Sequence, residues 1–271
     1  MMAYILFQNK KIFFREEGAG PPVMLLHGFG ENGNLWNHQI KSLSENYYLI
    51  IPDLPGSGQS EMLEGECTME DYAEVVKAIA DKAIFKDSNK NNLQFSLVGH
   101  SMGGYITLAF AQKYPELLNS FGLFHSSAFA DDEAKKATRR KGIQFIEKNG
   151  SKAFLKMSIP NLFSENTKEN RPQLITELLN IGEDILPQTL VQYYEAMILR
   201  PDRTAVLKSF SKPVLFMIGK YDNAVPLNIS LEQCHLPAIS TIRILQNSGH
   251  MGMWEEEKLS STYLKGFLEN I

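Results

Sequence analysis

The sequence predicts an α/β fold: a doubly wound, mostly parallel sheet with an all-helical segment inserted into it. Three observations carry that expectation. Short apolar runs recur at Val23 to His27, Tyr47 to Ile51, Phe95 to Val98, Ser120 to Phe124, Val214 to Ile218 and Thr241 to Leu245, as expected of strands covered on both faces. Helical patterns lie between most of them, and alternation of strand and helix implies parallel neighbours joined by crossovers. Between Ser126 and Phe210 no strand pattern occurs, whereas helical stretches do, at about Asp132 to Lys148, Lys152 to Met157, Lys168 to Ile181 and Gln188 to Leu199, with breaks at Gly150, Pro160, Gly182 and Pro187. The expected division is therefore a core of residues 1–126 and 207–271 with a helical cap at 127–206.

Taken in order, Tyr4 to Phe7 and Lys11 to Arg15 flank Gln8-Asn9-Lys10 and read as an antiparallel hairpin. Thr68 followed by Asp71 starts a helix with a capping-box pattern, and Tyr72, Val75, Val76, Ile79 and Ala83 give it one apolar face. A last helix shows Leu259, Tyr263, Leu264, Phe267 and Leu268 at helical spacing. A chain of 271 residues with 44% hydrophobic content can bury one large core. Its 27 basic and 31 acidic residues form no long basic run, which argues against a nucleic-acid groove. Cys67 and Cys234 stand alone, so neither a disulfide framework nor a structural zinc site is expected. Met1 to Phe7 is too short for a secretory apolar region and no long apolar run follows, so the expectation is a soluble, cytoplasmic protein without a membrane segment.

The chemistry centres on Gly99-His100-Ser101-Met102-Gly103-Gly104, between the apolar run ending at Val98 and a helical pattern beginning at Tyr105. A strand that turns sharply into a helix needs small residues on either side of the apex, and it exposes the apical serine over the sheet end. Ser101 is thus the expected nucleophile. A serine nucleophile needs a base, and the base an orienting carboxylate. Val214 to Ile218 runs into Gly219-Lys220-Tyr221-Asp222, and Thr241 to Leu245 runs into Gln246-Asn247-Ser248-Gly249-His250, so both groups emerge at carboxyl ends of strands, on the edge that carries the serine.

These features, with His27-Gly28-Phe29-Gly30, Asp53-Leu54-Pro55-Gly56-Ser57-Gly58-Gln59-Ser60 and Gly219 to Pro226, resemble the α/β-hydrolase superfamily over essentially the whole chain. The resemblance implies a catalytic triad of Ser101, Asp222 and His250. Asp131 and Asp132, after the strand ending near Phe124, are the second choice of acid and sit more naturally at a helix start. An oxyanion needs donors already in place: the Met102 N–H at the helix start is one, and the resemblance implies the Phe29 N–H as the other. The side chains of Phe29 and Met102 are then free to line a pocket, together with Tyr194, Met197 and Met251.

A rival pattern is present. Gly28-Phe29-Gly30-Glu31-Asn32-Gly33 after a strand, with Asp53 further on, is the dinucleotide-binding spacing, but Asn34-Leu35-Trp36 delays the helix that should begin within the glycines. Asp53 is read instead as organising its loop. His27 and His100 flank motif glycines and read as structural, while His38, His125 and His235 show no partner at ligand spacing, so no metal and no cofactor is implied.

Of Phe145, Phe154, Met157, Phe163, Tyr193, Tyr194 and Met197 in the helical segment, most are expected to be its packing core. The first-choice activity is hydrolysis of a small carboxylic ester or lactone with an apolar acyl group. Tyr194-Glu195-Ala196-Met197 and Arg200-Pro201-Asp202 have a local likeness to enol-lactone hydrolases. One alternative is the carbon–carbon bond hydrolase of aromatic ring breakdown, whose relatives carry tryptophans where this chain has Met251 and Trp254; Arg200 or Arg203 would then have to assist the leaving group. Another is a ligand-binding signalling module that retains the triad. Haloalkane dehalogenase and epoxide hydrolase chemistry is disfavoured, because those relatives carry aspartate where Ser101 stands. Oligomeric state is left open.

Overall fold

In the computed structural model, which describes residues 2–85 and 93–271, eight strands form one sheet in the order β1-β2-β4-β3-β5-β6-β7-β8. Met1, the first residue of the N-terminal apolar stretch, lies outside the described residues. Strands β1 (Met2–Phe7) and β2 (Lys10–Glu17) make the expected hairpin, and β2 pairs antiparallel with β4 (Tyr48–Pro52). The remaining strands, β3 (Pro22–Leu26), β5 (Phe95–His100), β6 (Leu118–Phe124), β7 (Val214–Gly219) and β8 (Ser240–Leu245), all run parallel to β4. Every residue of β3, β5 and β7 is buried, the pattern of strands covered on both faces. β8 departs from the expectation of a buried strand. It is the last strand in the sheet and mostly solvent-accessible, and Arg243 alternates with Ile242 and Ile244 as an edge tolerates.

From β3 the chain moves to one side, through a 3-10 turn at Gly33–Trp36 and helix α1 (Asn37–Leu43) into β4. It then crosses back through α2 (Met69–Ala83) to β5, on the other side of β3, and continues outward through α3 (Met102–Lys113) to β6. The loops after β3 and β5 therefore diverge, and a crevice opens where doubly wound sheets bind their ligands. The capping box on α2 is complete: the Thr68 side chain accepts from the Asp71 N–H, and the Asp71 carboxylate accepts from the Thr68 N–H.

Helices α4 (Glu133–Asn149), α5 (Ser151–Ser158), α6 (Glu165–Asn170), α7 (Gln173–Ile181), α8 (Pro187–Leu199) and α9 (Thr204–Ser209) fill the stretch between β6 and β7. The single helix expected over Lys168 to Ile181 is two helices, because the ring at Pro172 removes a donor and disfavours helical backbone at Arg171, where α6 ends. Helix α10 (Leu227–Gln233) links β7 to β8, and α11 (Gly252–Glu255) and α12 (Glu257–Leu268) close the chain. No helix among the described residues is long and apolar enough to cross a membrane.

Candidate active site

Ser101 sits at the turn from β5 into α3 with φ +50° and ψ −114°, a conformation that costs a non-glycine residue on the order of 1–3 kcal/mol. The flanking glycines explain how the turn closes. A Cβ on Gly99 would lie 2.2 Å from the backbone of Gly103, and one on Gly103 would lie 2.6 Å from the carbonyl oxygen of His27. The strained turn is tied down on both sides: the Ser101 N–H donates to the Phe124 carbonyl at 2.9 Å, and the Ser126 hydroxyl donates to the Ser101 carbonyl at 2.7 Å.

His250 and Asp222 come from the loops after β8 and β7. Asp222 Oδ2 lies 2.8 Å from His250 Nδ1, while Oδ1 accepts from the N–H groups of Ala224 and Val225, both at 2.8 Å. Burial opposes the Asp222 charge, yet His250 and His125, through their charge and their hydrogen bonds, hold its carboxyl far below the usual range, so it is a carboxylate. The Nδ1 proton of His250 is thereby fixed and Nε2 left as the basic nitrogen. Ser101 and His250 line the same cavity, of about 620 Å³, and no hydrogen bond joins their side chains in this conformation. Serine–base contacts of this kind often tighten only around a bound substrate. The N–H groups of Phe29 and Met102 find no acceptor among the described residues.

Three buried groups around the site have partners that the sequence did not indicate. His125, at φ +52°, has its Nδ1 3.1 Å from the same Asp222 oxygen, and its Nε2 accepts from the Gly252 N–H at 3.1 Å. That acceptor role puts the proton on Nδ1, aimed at Asp222; the Gly219 N–H, 3.2 Å from Nδ1, cannot donate to it in this tautomer. Burial pushes the His125 pKa down to about 4 against the pull of Asp222, so the ring is neutral. His125, Asp222 and His250 bring three ligand-type atoms within 4.8 Å of one another, but the imidazoles are already engaged with the shared carboxylate rather than open to an ion.

His100 is the second. Its Nδ1 meets Glu31 Oε2 and its Nε2 meets the His250 carbonyl, both at 3.0 Å; both partners accept, so both nitrogens carry protons. Burial opposes that charge, but Glu31 and the carbonyl raise the His100 pKa above its ordinary value. Glu31 in turn accepts from the Gly28 N–H at 2.6 Å, linking the loop of Phe29 to the loop of His250. Glu255 is the third. Its Oε1 accepts from the Gly249 and Met251 N–H groups and its Oε2 from Ser164 and Thr167, which ties the His250 loop to the start of α6.

Of the residues expected to line a pocket, Phe29, Tyr194 and Met197 do. The Phe29 ring stacks on Tyr194 at 4.3 Å. Met102 and Met251 do not: both are fully buried among core side chains and are absent from the cavity wall. Phe154, Phe163 and Tyr193 are buried packing residues, and Met157 is exposed. Asp131 binds Arg139 and Arg200 and Asp132 caps α4 through the Lys135 N–H, so neither touches His250. Arg200 reaches the cavity wall, whereas Arg203 pairs with Glu70 and Gln112 away from it. Asp53 organises its loop as read, accepting from the N–H groups of Gly33 at 2.8 Å and Gln59 at 2.9 Å. Only a single 3-10 turn begins at Gly33, capped by Asn32, with the Gly33 N–H already given to Asp53, and the α-helix begins only at Asn37, which is not the helix start a pyrophosphate needs.

A crossover at β3 and β5, a serine on a strained turn and an Asp–His pair arriving from the loops after β7 and β8 describe an α/β-type hydrolase scaffold. The chain belongs to the alpha/beta hydrolase fold family, whose profile matches residues 21–257. It is similar to a solved thermophilic esterase of Thermogutta terrifontis, with malate bound, at TM-score 0.91 and 26% identity over 100% of this chain and 98% of that one. A solved enol-lactonase of Burkholderia xenovorans superposes at TM-score 0.88 with 19% identity, covering 98% of this chain and 100% of that one. An (E)-2-((N-methylformamido)methylene)succinate hydrolase of Acinetobacter baylyi is 24% identical over 252 residues, 91% of this chain and 89% of that one. Three uncharacterized proteins of Mycobacterium bovis and Mycobacterium tuberculosis are 29% identical over 119 residues, which span only 33% of their length.

Proposed function

We propose that the protein is a serine hydrolase that cleaves a small carboxylic ester or lactone through an acyl-enzyme on Ser101. The observation that carries this reading is the convergence, on one cavity, of a serine at φ +50° and a histidine whose Nδ1 is fixed by a buried carboxylate. In the first half-reaction Ser101 Oγ attacks the acyl carbon while His250 Nε2 takes its proton. Asp222 stabilises the imidazolium without itself being protonated. The oxyanion is met by the N–H groups of Phe29 and Met102, which have no acceptor among the described residues. Collapse expels the alkoxide, which takes the proton from His250. Water then attacks the acyl-enzyme, with His250 again as base, and frees the carboxylic acid and Ser101.

Helices α4 to α8 serve in this reading as a cap over the site. Supporting it, α5 supplies Leu155 and α8 supplies Tyr194 and Met197 to the wall of the cavity that Ser101 also lines. The esterase and enol-lactonase among similar proteins favour acyl-oxygen cleavage over other chemistries of the fold.

The test is covalent labelling by a fluorophosphonate probe. Wild type labels with one equivalent, and Ser101→Ala abolishes labelling and lowers ester turnover by a factor on the order of a million. Labelling that survives in Ser101→Ala would exclude Ser101 as the nucleophile.

A further inference from the structure

The wall of the cavity that opens on Ser101 carries more cationic capacity than the protein itself uses. Lys135, Arg139 and Arg200 all line it, and the buried carboxylate among them is Asp131. Arg200 is held by three acceptors and an aromatic ring. Its Nη1 lies 2.9 Å from Asp131 Oδ2 and donates to the Met197 carbonyl at 2.9 Å, its Nη2 donates to the Phe129 carbonyl at 3.0 Å, and its plane lies 3.9 Å from the Tyr105 ring centre. Arg139 is not. Its Nε donates to Asp131 Oδ2 at 2.5 Å and its Nη2 reaches Oδ1 only at 3.4 Å, while Nη1 has no acceptor among the described residues. Lys135 gives one bond, to the Ala224 carbonyl at 3.0 Å, and keeps two N–H groups.

The other acidic groups on the wall do not cancel this excess. Glu31 is committed to His100, while Asp132 and Glu232 are solvent-exposed. The hydroxyls of Tyr105 and Tyr194, on the same wall, also have no hydrogen-bond partner among the described residues. Burial opposes ionisation of Tyr105, yet Arg200, Lys135 and Arg139 draw its pKa below the ordinary value, which marks a positive potential in the cavity. Arg139 and Arg200 share the single carboxylate of Asp131, and a planar guanidinium with free N–H groups matches a carboxylate.

We propose that the substrate is an ester or lactone bearing a free carboxylate, held by the unused donors of Arg139 and Lys135, with the Tyr105 and Tyr194 hydroxyls beside it. This rests on the serine-hydrolase reading. Arg200 acts differently: it holds Asp131 and the Tyr105 ring in position. The site therefore separates two tasks, acyl transfer at Ser101 and anion recognition at the α4 side of the cavity.

The experiment compares kcat/KM for mono-p-nitrophenyl glutarate and p-nitrophenyl pentanoate, which share a leaving group and differ in the terminal carboxylate. Wild type should prefer the glutarate at least tenfold, and Arg139→Met should cut that preference at least tenfold, mainly through KM. Lys135→Met, at a more accessible position, should cut it several-fold and stands in if the Arg139 variant does not fold. On wild type alone, glutarate should inhibit pentanoate hydrolysis competitively at a concentration at least tenfold lower than uncharged glutaramide does. Hydrolysis of both esters with a ratio near one, and equal inhibition by glutarate and glutaramide, would overturn the proposal while leaving the serine-hydrolase reading in place. Absence of both ester hydrolysis and fluorophosphonate labelling would overturn that underlying reading as well.

Discussion

Asp222 is pulled by four donors at once, and each residue in that arrangement predicts a distinct consequence. Asp222→Asn can no longer hold the His250 tautomer or stabilise its charged form, so kcat should fall by about 10⁴ with the circular dichroism spectrum unchanged. Asp131→Asn, remote from His250, should cost far less in kcat; the reverse ranking would identify a different acid. His125 makes a prediction about stability. Its ring titrates near 6.5 when unfolded and about 4 when folded, so its contribution is fully present above pH 6.5 and is lost as pH falls toward 4. That shift corresponds to about 3 kcal/mol, or roughly 5 °C in Tm for a chain of this size. Asp131, at about 2 when folded against 3.8 otherwise, adds a second loss below pH 4. His100 has the opposite sign: its raised pKa stabilises below pH 6.5, and that contribution fades only at higher pH. Scanning calorimetry between pH 6.5 and 4 should show the fall, and a flat Tm would mean that His125 is already protonated in the fold. Ser101 and His250 were legible because the glycine spacing and the strand ends that mark them are local in sequence. The pairings His125–Asp222, His100–His250 and His100–Glu31 were not, because the partners lie 97, 150 and 69 residues apart and nothing in the neighbouring sequence signals them.

At the scale of elements, the helical stretch between β6 and β7 is fastened to the sheet at two places that matter for the site. Gly182, at the end of α7, approaches the Phe29 loop so closely that a Cβ would lie 2.6 Å from the Gly30 carbonyl oxygen, and Asn32 donates to the Ile181 carbonyl at 3.1 Å. On the other side, the His250 N–H donates to the Leu162 carbonyl at 2.7 Å and Glu255 gathers donors from both segments. Glu255→Ala would leave several buried donors without an acceptor, at a cost of about 2–4 kcal/mol. Because the same carboxylate fixes the Gly249 and Met251 N–H groups around His250, kcat should fall along with the chemical-denaturation midpoint. Loss of stability with unchanged kcat would show that the loop holds its place without that anchor. The helices themselves could be read from periodicity, and their breaks from Gly150, Pro160 and Gly182. Two features could not. The interruption at Pro172 lies inside an otherwise continuous apolar pattern, and the exposure of β8 follows from its position at the sheet edge, which strand composition does not encode.

Across the whole molecule, the topology brings five chain segments to one crevice: the loops after β3, β5, β7 and β8 and the helices that follow β6. What that assembly supplies determines which bond it can break. An ester or lactone needs an oxyanion site and one proton for the departing alkoxide, tasks that the proposed mechanism gives to the Phe29 and Met102 N–H groups and to His250. Cleaving a carbon–carbon bond also requires stabilising a carbanion-like leaving group, a second task that needs a further acid or electron sink near His250. The positions the sequence offered for it are committed elsewhere. The Trp254 indole donates to the Leu35 carbonyl at 2.8 Å, Met251 is sealed in the core, Arg203 pairs with Glu70, and Arg200 is held by Asp131 and backbone carbonyls. A rate comparison across p-nitrophenyl esters of increasing acyl length, simple lactones and a ring-fission diketone should therefore favour an ester or lactone by at least roughly tenfold in kcat/KM, about 1.4 kcal/mol in transition-state binding. A diketone rate above that of every ester would show that the cavity holds an acid or electron sink for carbon–carbon cleavage. Tight binding of these compounds with negligible turnover of all of them would point instead to a ligand-binding role for the retained Ser101, Asp222 and His250.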